Sequence, residues 1–311
     1  NTPLPSGAPF KRRTTGSPAA LLGARLAYGP IVALDHVDLT VSPGEVLALL
    51  GPNGAGKSTA IGLMTGRLRP DAGTARVFGH DPALAPTRRL FGVMLQSAEL
   101  PETLRVGELI DQARACYPTP RSRQQVVELA GLEGLQARPY ERLSGGQKRR
   151  VQFALAVCGQ PPLLFIDEPS TGLDPVARRG LWAAVGAMRD EGTAVVLTTH
   201  YLEEADALAD RVMLIDRGRI LAEGSPEAIK RRAAGVRVRC RTQVTANEAA
   251  SWPEVSAATR DGNVLDLECS KPEPVVRRLL AADAALEGLE VRPGSLEQAV
   301  HALTRQVGEA A

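Results

Sequence analysis

Five apolar residues, Val46-Leu-Ala-Leu-Leu50, run directly into Gly51-Pro-Asn-Gly-Ala-Gly56-Lys57-Ser58, and a helix-compatible stretch follows from Thr59. Nothing else in the chain restricts its fold as strongly. The apolar run has the length of a buried strand. GxxxxGK[ST] between a strand and a helix is a loop whose glycines let backbone N–H groups curl around phosphate oxygens. The N-terminus of the following helix adds a favourable dipole. Lys57 would set a point charge on the β- and γ-phosphates, and Ser58 would offer its hydroxyl to Mg²⁺.

A second apolar run, Leu163-Leu-Phe-Ile166, ends in Asp167-Glu168. A strand that ends in acids delivers carboxylates to the C-terminal edge of a sheet, where open α/β folds bind their ligands. Asp167 would hold Mg²⁺, through water. Glu168, the next residue along, points elsewhere and would orient or deprotonate an attacking water. The apolar strand ending in Thr198-Thr199 carries His200 to the same edge.

Around these runs the chain alternates strand and helix signals. Alternating apolar positions over 22–28 and 37–41 predict a short antiparallel sheet that feeds the buried strand. A helix is expected over 59–68 and a strand over 74–78, with 82–160 mostly helical. Strands at 163–166 and 195–199 flank a helix at 175–189, and 211–215 with 219–222 read as an edge hairpin. Near Gly235 a second pattern starts. Strands at 236–240, 255–260, 264–269 and 289–292 alternate with helices at 246–251, 273–284 and 296–306. Asp261-Gly262-Asn263 is a hairpin turn signal between two of those strands. The order β-α-β-β-α-β is the ferredoxin-like pattern with one extra helix.

With these elements in place, the residues carry a resemblance to ATP-binding-cassette (ABC) ATPases over about 20–225. Leu143-Ser-Gly-Gly-Gln147 resembles that family's signature motif, and Ser170-Thr-Gly-Leu-Asp174 its D-loop. Tyr28 stands where the family's adenine-stacking aromatic sits, Gln96 at its Q-loop, and His200 at its switch histidine. The surroundings of Gln96, Gln147 and His200 resemble bacterial drug and antibiotic export ATPases of the daunorubicin-resistance type, as does the tail around 295–303.

The resemblance implies an α/β P-loop NTPase core with an antiparallel β subdomain and a helical subdomain, plus the small α+β ferredoxin-like C-terminal domain. The expected domains are a flexible lead over 1–18, an ATPase domain over 19–225 with its helical subdomain at about 91–160, and a small domain over 226–311. It implies ATP held by Tyr28, Gly51, Pro52, Asn53, Gly54, Ala55, Gly56, Lys57, Ser58, Thr59 and Gln96. Ser144, Gly145, Gly146, Gln147 and Asp174 would complete the site from a second copy, since in this family two chains close head to tail on two ATPs. Mg²⁺ would be held by Ser58, Gln96 and Asp167. Catalysis would fall to Glu168, His200 and Lys57. Ser144 reads independently as a helix N-cap, a second anion-ready terminus.

Composition bounds the partners. The charge balance, 37 basic against 35 acidic residues, implies no bulk electrostatic grip on nucleic acid. No run of about 20 apolar residues is long enough to span a bilayer, so an export function requires separate transmembrane permease subunits and places the chain at the cytoplasmic face of the membrane. The alternative is a soluble ABC ATPase acting in translation or DNA repair, but the chain has one phosphate loop, one signature and no coiled-coil or zinc insertion. The cations Lys230, Arg231, Arg232, Arg237, Arg239 and Arg241 read first as a solvated helix end and strand face; contact with an anionic membrane surface is the second reading. Four dispersed cysteines without a CxxC pair read as reduced small hydrophobes.

Overall fold

The computed structural model describes residues 16–233 and 235–309. Backbone contacts divide the chain into two compact units, with the division between Leu221 and Ala222.

The first unit opens with β1 (Ala19–Tyr28), β2 (Ile31–Val41), β3 (Val46–Leu50), α1 (Lys57–Met64), β4 (Ala72–Val77), α2 (Ala85–Arg88) and β5 (Phe91–Met94). Then follow α3 (Val106–Arg114), α4 (Arg123–Ala130), a single 3-10 turn (Tyr140–Arg142) and α5 (Gly145–Val157). β6 (Leu163–Asp167), α6 (Pro175–Asp190), β7 (Ala194–Thr198), α7 (Leu202–Leu208), β8 (Arg211–Asp216) and β9 (Arg219–Gly224) complete the series. One sheet is antiparallel, in the order β2-β1-β4, and the other has six strands in the order β5-β6-β7-β3-β8-β9.

The strands β5, β6, β7, β3 and β8 are mutually parallel. Every residue of β3, β6 and β7 is buried. That explains their unbroken apolar sequence, since a parallel sheet is covered on both faces. Alternate residues serve the two faces. Leu47, Leu49, Leu163, Phe165, Ala194 and Val196 join a core shared with α1 and the antiparallel sheet. Val46, Leu164, Ile166, Val195 and Leu197 join one built with α3–α6. Phe165 is fully buried and meets Phe91 edge-on at 5.5 Å; truncating such a ring to alanine costs about 3–5 kcal/mol.

Parallel strands end at one edge. Thr198 pairs in register with Asp167 on one side and Leu49 on the other, so the ends of β6, β7 and β3 lie side by side. This alignment brings residues more than a hundred positions apart to the loop after β3.

The division falls within β9, and the helices and strands that lie wholly in the second unit are α8 (Pro226–Ala233), β10 (Val236–Arg241), α9 (Ala246–Ala250), β11 (Val255–Asp261), β12 (Val264–Cys269), α10 (Pro272–Ala282), β13 (Glu287–Pro293) and α11 (Leu296–Glu309). Its sheet has the order β11-β12-β10-β13, antiparallel throughout. This is the strand order of the ferredoxin-like pattern, with the outer elements α8 and α11 packed on each other. Val238, Cys240, Leu265, Leu267, Val275 and Leu279 form its core.

Several expectations change. The expected helical stretch over 82–160 is interrupted by β5, with only the short α2 before it. β8 is not an edge strand, because it pairs in parallel with β3 and leaves β9 as the edge on that side. Of the expected lead, residues 1–15 lie outside the described residues, while the Ser17 hydroxyl donates to the Val41 carbonyl at 2.7 Å. The cationic run meets acids that its linear sequence does not contain. Arg237 pairs with Asp266 at 3.1 Å, Arg239 stands opposite Asp266 and Glu290, and Arg241 opposite Glu287. Among the described residues no helix is long and apolar enough to cross a membrane, and all four cysteines are free thiols.

Candidate functional site

The loop after β3 owes its path to glycine. Gly51 sits at φ 151°, and a Cβ there would lie 2.0 Å from the Ile215 carbonyl oxygen. Gly56 sits at φ 110°, where a Cβ would lie 2.5 Å from the Ala33 oxygen. Only a residue without a side chain fits such close backbone approaches. Gly56 ends the loop as the N-cap of α1, with no side chain satisfying the first N–H groups of that helix. Free N–H groups at a helix N-terminus are what an anionic ligand requires.

Lys57 is buried, and its ammonium donates to the carbonyls of Gly51 at 2.7 Å and Pro52 at 2.9 Å. Burial lowers its pKa from the ordinary lysine value, opposed by the charges of Glu168 and Asp167. Ser58, the next residue, donates to Asp167 Oδ1 at 3.4 Å. A hydroxyl beside a carboxylate is a hard-oxygen pair, the donor chemistry that suits Mg²⁺. Pro52, Asn53, Gly54, Ala55 and Thr59 complete the loop and the first turn. The loop is tied to the turn between β8 and β9, where the Gly218 N–H donates to the Ala55 carbonyl at 3.0 Å.

Thr198 fastens the acidic pair. Its hydroxyl donates to Asp167 Oδ1 and accepts the Glu168 N–H at 3.2 Å, while its carbonyl accepts the same N–H at 3.0 Å. Glu168 is buried and sits at φ 50°, left-handed for a residue with a side chain. Such strain persists only where the surroundings over-determine it. Its Oε2 lies 2.8 Å from His200 Nδ1, within hydrogen-bond distance. The Thr171 hydroxyl reaches the same oxygen at 3.4 Å.

Lys57, Ser58, Asp167, Glu168 and His200 are thus gathered at one sheet edge. Residues 51–55 and Thr59 belong to the loop itself, and Gln96 is reached through Arg149; among the described residues Tyr28, 144–147 and Asp174 stand apart from this group. Tyr28 ends β1 and is half exposed. Gln96 is exposed and enters the network only through its backbone carbonyl. Ser144 caps α5, accepting the Gln147 N–H at 3.2 Å while the Gln147 side chain accepts the Ser144 N–H at 3.0 Å. Gly145 and Gly146 form the first turn of that helix. Asp174 caps α6, accepting from Val176 and Ala177, each at 2.9 Å; these bonds hold its carboxyl below the ordinary aspartate value. Among the described residues no hydrogen bond or ion pair joins 144–147 to the loop 51–58, and no cluster of three or more His, Cys, Asp or Glu is arranged for a metal.

No motif in the sequence singles out Thr198 as a ligand-holding group, nor Arg149, nor the contact of partly buried Trp182 and buried Glu204 with the D-loop residue Ser170. The Trp182 indole donates to Glu204 Oε1 at 2.9 Å, and the Ser170 hydroxyl donates to the same oxygen. A signal existed for Arg149. It stands on α5 in one stripe with Phe153, Ala156 and Val157, so helical periodicity places a cation on the buried face.

A family model described as ABC transporter matches residues 34–171. The daunorubicin/doxorubicin resistance ATP-binding protein DrrA of Streptomyces peucetius is 40% identical over 283 residues, covering 87% of this chain and 86% of its own. The Nod factor export ATP-binding protein I of Mesorhizobium japonicum is 36% identical over 290 residues, covering 91% of this chain and 85% of its own. Among solved structures, an ATP binding subunit of an ABC transporter superposes with a TM-score of 0.64 at 29% identity, covering 69% of this chain and 92% of that one.

Proposed function

The chain belongs to the ABC transporter family of ATP-binding proteins, and from that footing we propose that it powers export of a drug, antibiotic or other amphipathic compound through separate membrane-spanning permease subunits. It is an ATPase of the ABC class, and its work would be done at the cytoplasmic face of the membrane. The relatives named above are resistance and export ATP-binding proteins, which favours export over a role in translation or repair.

The observation that carries the reading is the 2.8 Å contact between His200 and Glu168 beside Lys57 and the Ser58–Asp167 pair. Phosphoryl transfer asks for positioning and charge stabilisation more than for covalent chemistry. The loop from Gly51 to Ser58 would hold the ATP phosphates, with Lys57 as the point charge and Thr59 in the first turn, and Tyr28 would stack on the base. Ser58, Asp167 and Gln96 would hold Mg²⁺, which neutralises phosphate charge when bound. Glu168 would orient water towards the γ-phosphate and accept its proton, and His200 would steady Glu168 and donate to the γ-phosphate. The capped terminus at Ser144–Gln147 would meet the γ-phosphate of a second copy, with Asp174 beside it, so the working unit is a head-to-tail homodimer. Cross-strand acids beside the cationic run favour the solvated-face reading over a membrane contact. Residues 19–225 would be the ATPase domain, with the helical subdomain carrying the signature, and 226–311 a separate small domain.

The reading is tested by purifying the tagged full chain from membranes and by following doxorubicin efflux. A multi-span membrane protein should co-purify, and efflux should be lost in Lys57→Ala. Recovery with ribosomes or DNA and no membrane protein would contradict it.

A further inference from the structure

Arg149 lies outside every motif used so far. It is 8% exposed, one turn into the helix that Ser144 caps. Its guanidinium is nonetheless densely partnered. Nη1 donates to the carbonyls of Leu95 at 2.8 Å and Gln96 at 2.9 Å, and to Gln152 Oε1 at 2.8 Å. Nη2 donates to the Asp167 carbonyl at 3.1 Å and to the Glu168 carbonyl. The Arg149 Nε is buried and has no hydrogen-bond partner among the described residues. Burial lowers the guanidinium pKa, against the pull of the Asp167 and Glu168 charges. Burying a cation is expensive, and apolar packing alone would not place one here.

The position of those acceptors gives the group a purpose. Glu168 holds a left-handed backbone at φ 50°. Thr198 fixes its N–H from one side, and Arg149 fixes its carbonyl from the other. The peptide groups on both sides of Glu168 are therefore clamped, and its carboxylate is aimed at His200. The same planar fork binds the backbone at 95–96. Three separate segments end on one side chain: the strand end with the acids, the loop at Gln96 and the helix begun by Ser144. A lysine offers a point charge in place of a fork and cannot reproduce that set of bonds.

We propose that Arg149 is a positioning residue for ATP hydrolysis: it holds Glu168 in its productive backbone conformation and ties that conformation to the loop at Gln96 and to the signature helix. The inference rests on the ATPase reading of Glu168. It adds a mechanical route, because a shift of α5 would pull on the Glu168 carbonyl through one rigid group.

The test uses the full chain with MgATP, as wild type, Arg149→Gln, Arg149→Lys and Gln152→Met. Steady-state kcat, the Kd for ATP and thermal melting are read for each. A misplacement of about 1 Å at a catalytic group costs on the order of 100-fold, so kcat of Arg149→Gln should fall by about that factor. Its ATP Kd should stay within about threefold of wild type, because the phosphate loop is untouched. Arg149→Lys should recover part of the rate. Gln152→Met removes one acceptor and leaves the arginine, and should lower kcat several-fold with unchanged melting. The proposal is overturned if folded Arg149→Gln keeps a kcat within about threefold of wild type, or if the rate per folded molecule is unchanged. Should Arg149→Gln not fold, wild-type kcat in Gln152→Met overturns it equally. A wild type that hydrolyses no ATP overturns the ATPase reading and this inference together. An active wild type beside an active Arg149→Gln overturns the inference alone.

Discussion

Thr198→Val probes how the acidic pair is held with the least disturbance to anything else. Thr198 is fully buried and pairs in register with both Leu49 and Asp167. Valine keeps the branching and exchanges the hydroxyl for a methyl. The Glu168 N–H retains the Thr198 carbonyl at 3.0 Å, so no backbone donor is orphaned. Asp167 Oδ1 loses its closest donor and keeps only the Ser58 hydroxyl at 3.4 Å. The main loss is the hydrogen bond to a charged group that is 5% exposed, about 1.5–3 kcal/mol; the 3.2 Å contact to the Glu168 N–H goes too, but that N–H keeps its shorter bond to the carbonyl. In a unit of this size that corresponds to roughly 3–12 °C in melting temperature. The assay is urea unfolding followed at Trp182 in a Trp252→Phe background, since each unit carries one tryptophan. The slope against urea should not change, because the surface exposed on unfolding is the same. A loss below about 0.5 kcal/mol, the range of ordinary surface substitutions, would refute the claim that this hydroxyl holds the carboxylate.

Gly51→Ala puts a methyl 2.0 Å from the Ile215 oxygen at a left-handed φ; overpacking of this kind costs about 1–3 kcal/mol or more, and calorimetry and ATP titration should register both lower melting and weaker binding. Wild-type values for both would mean that the loop is not held as described. Glu45 carries a pH prediction. Burial raises its pKa, but hydrogen bonds from Arg211 and the Ser42 N–H outweigh burial and leave it below the ordinary 4.5. A depressed folded value gives stability that is present above the unfolded pKa and lost as pH falls through the folded one. Glu45→Gln should therefore flatten the acid limb of a stability–pH curve below about pH 4.5, and an unchanged limb would remove Glu45 from that role.

Local chemistry made much of the first unit readable in advance. The run Val46–Leu50 has the length of a buried strand, and the GxxxxGK[ST] loop after it fixes it as one that leads into a helix. Ser144 reads as a helix N-cap, and it does cap α5. Short or non-local features were harder. Phe91–Met94 is only four residues long, and two of them, Gly92 and Met94, carry no strand signal. It becomes a strand because β6 offers a parallel edge. That β8 lies inside the sheet depends on β3, more than 150 residues earlier. Arg149 was legible only as a charge on an apolar stripe; its acceptors are carbonyls of distant loops, which no pattern of side chains encodes. The acids opposite Arg237, Arg239 and Arg241 are likewise set by strand pairing, not by sequence proximity.

The central step is Glu168 acting at ATP held by the loop after β3. Single-turnover hydrolysis of ATP with Mg²⁺, compared between wild type and Glu168→Gln and read together with sedimentation, addresses it directly. Loss of a general base lowers the rate by about 10²–10⁴-fold. The variant should bind ATP as tightly as wild type, turn over at least about 100-fold more slowly, and sediment as a dimer only when ATP is present. Wild-type turnover by Glu168→Gln, with no change of mass on adding ATP, would contradict both the catalytic assignment and the shared site.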